Sequence, residues 1–238
     1  MWLMKRIFVI LIAIVLSLSV CSCHNESPDS EKSNLPEEYV SCVCTKDSVD
    51  EVLDVFDNVK GEGLLSGFSI NKDNLYNVTP VEVAASTDVK IFKTSDSCAS
   101  FVLIGGEIYP ICESFGGYGF VNAVPCDFDD DGNIDLLVAS SWGSGIHRSI
   151  ISVFNTVTKE STVVYDTITT QNPQIDLFVA TATQSTSLSD SLSVYYNVYT
   201  MNIKVNDNNF ANLSYVATDM IGTVKYENGE IVFKPISK

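Results

Sequence analysis

Histidine is almost absent from this sequence. Of 238 residues only two are histidine, His24 and His147, and only two are tryptophan. A single histidine in the domain that follows residue 40, His147, excludes a zinc centre built from several imidazoles. Catalytic signatures are equally scarce. There is no Gly-x-Ser-x-Gly elbow, no phosphate-cradling glycine loop and no dinucleotide fingerprint. Positive charge is thin as well: 14 Lys and Arg stand against 30 Asp and Glu, a formal net charge of −16. That balance excludes nucleic acid and anionic lipid surfaces as partners, because both need clustered Lys and Arg.

A long hydrophobic run is also lacking. The longest, Ile7 to Val20, counts 14 residues and is broken by Ser17 and Ser19. It is too short to span a bilayer comfortably. Behind Lys5-Arg6 it reads as the core of a signal peptide covering residues 1–22. The run ends Leu18-Ser19-Val20-Cys21-Ser22-Cys23, which resembles a bacterial lipobox, whose cysteine is lipidated and becomes the mature N-terminus. Cys23 has the better small residue before it, Ser22; Cys21 has the better Leu three positions back. Cys23 is preferred, with Cys21 as the alternative. Residues 23–40 hold little to bury and read as a polar tether. The expectation is a lipoprotein anchored to the membrane by lipid, on the outer face of a bacterial cell envelope. Losing Lys5 and Arg6 with the leader leaves a charge of −18.

Five cysteines lie in the domain beyond the tether: Cys42, Cys44, Cys98, Cys112 and Cys126. The odd number leaves one unpaired unless bridges are intermolecular. Cys98 and Cys112 flank Gly105-Gly106. A two-residue turn there sets them on opposite faces, whereas a three-residue turn with a bulge brings them opposite each other. Cys42-Val43-Cys44 lacks the second pair that a zinc site needs and reads as small, half-buried residues.

Residues 41–238 read as a single β-rich domain. Its one convincing helix is Ser48 to Gly61, with Val49, Val52, Leu53, Phe56 and Val59 on one face. Ser48 and Glu51 form a capping box, and Gly61 fits the C-terminal cap. Strands are expected at Gly67–Ile70, Val89–Lys93, Phe101–Ile104 and Glu107–Ile111, the last at an edge because of Pro110. A regular block follows: Phe120–Cys126, Ile134–Ser140, Ser149–Phe154 and Ser161–Asp166. Further strands are Gln174–Thr181, Leu192–Val205, Phe210–Ala217, Gly222–Tyr226 and Ile231–Lys234, with Asn228-Gly229 as a type I′ turn. Tyr195, Tyr196 and Tyr199 read as packing residues. The expected fold is mainly β, with antiparallel meander sheets resembling a partial β-propeller or sandwich and one N-terminal α-helix.

Asp127-Phe128-Asp129-Asp130-Asp131-Gly132-Asn133-Ile134-Asp135 is the strongest motif. Calcium takes six to eight hard oxygens, and Asp127, Asp129 and Asp131 alternate so that their carboxylates converge. Gly132 permits the sharp turn. The backbone carbonyl of Asn133 and the carboxylate of Asp135 complete the set. An EF-hand needs an acid at the twelfth position, which is Val138, and flanking helices; strands flank this loop instead. With the following Leu136-Leu137-Val138, the loop resembles the calcium loop of FG-GAP or VCBS repeats. That resemblance, over residues 119–166, implies a loop bridging two strands of a propeller blade in a surface protein. A closed propeller has at least four blades, and this chain has room for about three.

The best interaction segment outside the loop is Trp142 to Ser149, with Trp142, His147 and Arg148 as binding residues. Trp142 either stacks on a ligand or packs the core edge, and Arg148 either pairs with a ligand acid or with the calcium loop. The sequence thus reads as a calcium-stabilised, non-enzymatic module that binds an extracellular protein or glycan. The alternatives are a structural subunit of an envelope assembly and a hydrolase using His147 with Ser144 or Ser149.

Overall fold

The computed structural model describes residues 39–40, 44–59, 68–128, 131–169, 174–181 and 196–236. Signal peptide, lipobox and nearly all of the tether lie outside them, as do Cys42, Gly61, Asp129 and Tyr195. Among the described residues the chain is mainly β, with thirteen strands and two short α-helices.

β1 (Tyr39–Val40) falls where polarity suggests tether, yet it pairs within the domain. α1 (Val49–Val59) forms as its apolar spacing predicts, burying Val49, Val52 and Phe56. Its expected capping box is absent in form. Ser48 sits at φ 64°, not in the extended backbone of a capping residue, and its hydroxyl accepts from Lys90 Nζ at 3.3 Å. The strand expected at Gly67–Ile70 is displaced: Phe68–Ile70 is irregular, and β2 runs over Leu75–Asn77. A second helix, α2 (Val81–Ser86), was not expected. Six residues with one buried position, Val83, give no periodic signal. Pro80 starts the helix at φ −59°, and Thr87 ends it by turning extended.

β2, β3 (Lys90–Thr94), β4 (Ser100–Ile104) and β5 (Glu107–Pro110) make the first meander, in that order. The Gly105-Gly106 turn has two residues, because Ile104 pairs with Glu107 and Phe101 with Pro110. The three-residue alternative is overturned, and Cys98 and Cys112 are both free. Pro110 ends an edge strand, as expected.

The second meander is β6 (Gly119–Cys126), β7 (Asp135–Trp142), β8 (Arg148–Phe154) and β9 (Ser161–Asp166). The third is β10 (Asp176–Thr181), β11 (Tyr196–Asn206), β12 (Asn209–Glu227) and β13 (Glu230–Pro235), with β1 added beside β12. β12 replaces two expected strands. It pairs with β11 along its length while its other edge passes from β1 to β13. Residues 218–221, between those two expected strands, carry register shifts instead of a break. There Thr200 Oγ1 lies 2.7 Å from Thr218 Oγ1 and accepts from Asp219 N–H at 3.1 Å. Asn228 and Gly229 have φ 53° and 87°, the type I′ geometry their sequence predicts.

The middle meander is buried on both faces, because alternate side chains of one strand point opposite ways. Val121, Leu137, Ala139, Ile151 and Val153 pack on the third sheet, against Leu177, Val179 and Val198. Phe120, Ala123, Leu136, Val138 and Phe154 pack on the first sheet, against Ile91, Val102 and Ile104. The far face of the first sheet holds α1, with Phe56 edge-on to Phe101 at 5.3 Å. Helix, sheet, sheet and sheet thus stack in layers, a plan that fits adjacent propeller blades or a multilayer sandwich.

β6 carries a bulge between Phe120 and Asn122. Asn122 Nδ2 donates to the Val179 carbonyl at 2.7 Å, and its Oδ1 accepts from Val179 N–H at 3.2 Å. A side chain thereby mimics a ladder rung between two sheets. Asn122→Ala leaves both buried Val179 groups unpaired. It is expected to cost about 2 kcal/mol or more, read as a lower urea midpoint with unchanged m-value.

Candidate functional site

β7 joins two candidate sites, one at each end. The acidic loop precedes Asp135 and the Trp142–Arg148 segment follows it. At roughly 3.3 Å per residue the two ends lie about 23 Å apart. Arg148 therefore does not pair with the acidic loop; its guanidinium lies over the Trp142 ring, 5.2 Å from the centroid.

At the acidic end, Gly132 takes φ 83°, the left-handed conformation the tight loop requires. Its N–H donates to Asp127 Oδ2 at 3.2 Å. Asp131 accepts from Asn133 N–H at 2.8 Å and from Asn133 Nδ2 at 2.9 Å. Asp127 and Asp131 are exposed. Phe128 turns inward instead, 4% exposed and 5.1 Å from the Tyr196 ring. Asp135 is only 4% exposed, and its oxygens serve the β8–β9 turn: Oδ1 accepts from Thr156 N–H at 3.0 Å and Oδ2 lies 3.5 Å from Asn155 Nδ2. Among the described residues no three acidic, histidine or cysteine side chains converge as a metal set. Asp129, central to the pattern, is not among them. Asp127 and Asp131 fit a hard cation by donor chemistry: oxygen only, exposed, and beside a positive-φ glycine.

At the other end two loops are zipped together. Gly116 and Gly143 form a parallel bridge, Gly117 N–H donates to Gly143 O at 3.0 Å, and Gly143 N–H donates to Phe115 O at 2.7 Å. A Cβ on Gly116 would sit 2.5 Å from Gly143 O, and one on Gly117 2.5 Å from Trp142 Cα. Only glycine allows this approach. The zipped loops raise an aromatic ridge. Phe115 is 62% and Ile146 42% exposed, with Trp142, Tyr118 and His147 half-buried beside them.

Beneath the ridge lies a polar cluster. His147 stands edge-on to Tyr118, ring centroids 4.7 Å apart. Asp176, at the start of β10, accepts from Ser141 Oγ at 3.4 Å and interacts electrostatically with His147. Burial raises the Asp176 carboxyl above its ordinary range, opposed by His147 and Ser141. Burial and then Asp176 raise the Tyr118 hydroxyl. Ser141 thus bonds the acid and not the imidazole, while Ser144 is exposed and Ser149 is fully buried. This differs from a serine–histidine–aspartate relay, in which the serine meets the histidine.

Three buried polar atoms in this region have no hydrogen-bond partner: Trp142 Nε1, Arg148 Nε and Ser149 Oγ. Trp142 pairs with Arg148 and Ser141 with Ser149 across adjacent strands, so the three atoms belong to one corner of the sheet. Buried donors are nearly always satisfied, and three orphans together are unusual.

Trp142, His147 and Arg148 lie together at this end of β7. Tyr118, Phe115 and Asp176 were missed. The glycines of Gly116-Gly117-Tyr118-Gly119 suit either a close backbone approach or a simple corner, and nothing local links Asp176 to them. No protein-family profile matches the chain, and no curated protein or solved structure matches it either.

Asp176→Asn tests the strain in this cluster. A carboxyl whose folded pKa is raised stabilises the fold when protonated, and that contribution is lost as pH rises through the folded pKa. At pH 7 the asparagine variant is therefore expected to melt above the parent. The gap should shrink as pH falls through the raised folded pKa, where the parent carboxyl takes up its proton. Thermal melts across this pH range measure it.

Proposed function

We propose that this protein is a calcium-stabilised, lipid-anchored module of the bacterial envelope that binds a glycan through the Trp142–Arg148 ridge. The observation that carries the binding reading is the pair of unpartnered donors, Trp142 Nε1 and Arg148 Nε, beneath exposed aromatic and apolar side chains. Sugars present both what stacks on an aromatic face and the oxygens that accept from such donors. His147 and Asp176 extend the polar side of the same corner. A protein ligand offering backbone carbonyls meets the same donors and is the second reading.

Binding is tested on a panel of immobilised neutral and acidic glycans. The full chain is expected to retain a subset, and Trp142→Ala or Arg148→Ala to weaken it about 30-fold, the ~2 kcal/mol typical of a central anchor. Circular dichroism checks that each variant is folded. A folded parent that binds none of the panel sinks the glycan reading.

Calcium would be held by Asp127, Asp131 and, by the sequence pattern, Asp129, the Asn133 carbonyl and Asp135. The ion supplies positive charge that cancels carboxylate repulsion and fixes the loop. With an affinity on the order of 10⁻³ M, typical of extracellular sites, 10 mM calcium stabilises by about 1.4 kcal/mol. After chelation, calcium is therefore expected to raise the melting temperature by about 3–5 °C, and Asp127→Asn to remove the response. A parent melting curve that ignores calcium counts against this part alone.

A further inference from the structure

One lysine in this protein is held as a bound cation would be. Lys46 Nζ donates to three backbone carbonyls: Lys72 O at 2.7 Å, Asp73 O at 2.9 Å and Leu75 O at 3.0 Å. The Tyr76 ring lies against the same nitrogen, its centroid 3.6 Å away. An ammonium has three donors, so each proton has its own carbonyl, while the ring face attracts the charge.

The carbonyls converge for local reasons. Residues 71–74 make one tight turn: Asn71 Oδ1 accepts from Asp73 N–H at 2.9 Å and Asn74 N–H at 3.2 Å, and Asn71 O accepts from Leu75 N–H at 3.0 Å. The chain then straightens into β2 instead of winding on. Lys72 O and Asp73 O thereby lose the amides that a longer helix would bring them. Leu75 O is left over for another reason. β2 is the edge of the first sheet, and Asn77 turns its N–H and carbonyl to the open side, bonding Thr45 at 3.0 and 3.1 Å. Backbone groups two residues apart on a strand face the same way, so Leu75 O faces that side too. Another strand would offer it an N–H. Lys46, the residue after Thr45, offers its ammonium.

We propose that these three carbonyls and the Tyr76 face form a cage for a large monovalent cation, and that Lys46 is its built-in occupant. The oxygens are neutral, as in potassium filters. Their spacing of 2.7–3.0 Å suits potassium or ammonium and exceeds the roughly 2.3–2.6 Å that calcium takes. Without the lysine head the cage takes potassium, ammonium or a primary amine in its protonated form. With it, one side chain fastens the 71–74 turn, the open edge of β2 and the entry to α1, where Lys46 O accepts from Val49 N–H at 3.3 Å. A lysine on an edge also deters a foreign strand from pairing there. The cage is independent of the acidic loop and of the ridge.

Two substitutions test it. Lys46→Ala empties the cage, and Lys46→Met fills it with an uncharged stem. In sodium chloride both are expected to melt about 4–8 °C below the parent. Replacing sodium with about 0.2 M potassium or ammonium at equal ionic strength is expected to return about 2 °C to Lys46→Ala, as an affinity on the order of 0.1 M gives. Lys46→Met and the parent should gain nothing. The Thr45 and Asn77 amides should exchange about 10-fold faster in Lys46→Ala and slow again in potassium. The parent is tested without substitution by NMR on nitrogen-labelled lysine, which is expected to show the Lys46 ammonium protected from water alongside that of buried Lys93. A Lys46→Ala variant that melts with the parent, or that gains as much from tetramethylammonium as from potassium, overturns the proposal. So does a potassium response in Lys46→Met, or a parent spectrum with Lys93 as its one protected ammonium.

Discussion

A buried edge strand must find partners for the backbone groups its own sheet leaves over, and in this protein that strand is β6. It lies at the edge of the middle sheet, yet both flanking sheets cover it. Its bulge leaves Val121 without a rung in the ladder. Side chains from both neighbours supply what is missing: Lys93 and Ser100 from the first sheet, the Tyr215 hydroxyl onto the Val121 carbonyl from the third. Asn122 answers by bonding the Val179 backbone. Each bond is worth only about 1 kcal/mol net, but leaving the group unpaired in the interior costs more. The requirement fixes how the sheets register on one another, which apolar packing alone does not. It also closes an edge that would otherwise template aggregation.

Much of this was legible in the sequence. The four strands of the middle meander follow from apolar runs separated by clear turn residues, and all four form close to where they were read. The helix at Val49–Val59 and the Asn228-Gly229 turn were equally plain, since each rests on local chemistry. What failed was non-local. Ser48 binds Lys90, a residue on β3, and gives up the cap its spacing suggested. β12 stays whole because Thr200, on the neighbouring strand, holds its irregularity together. Asp176 reaches the ridge only because β10 crosses the middle sheet, and no spacing within the chain announces that.

The two ends of β7 also carry opposite electrostatic solutions. Around the acidic loop, Asp127 and Asp131 stay in solvent, where charge is cheap, and only Asp135 goes inside with donors from Asn155 and Thr156. At the ridge a carboxyl is drawn under the surface with less help, from one serine and one imidazole. Groups held at a cost to stability concentrate where proteins recognise or transform something. The ridge, and not the acidic loop, has that character.

The glycine zip between the Cys112–Gly119 and Gly143–His147 segments has a consequence for how this surface can vary. Two loops fastened by their own backbones behave as one stiff unit. A ligand meeting them has little chain motion to freeze, so weak contacts convert to affinity more efficiently. The same stiffness removes loop rearrangement as a route to new specificity. Changes of partner would have to come from exchanging the side chains that crown the zip, Phe115, Ile146 and Trp142, while the three glycines beneath them stay as they are.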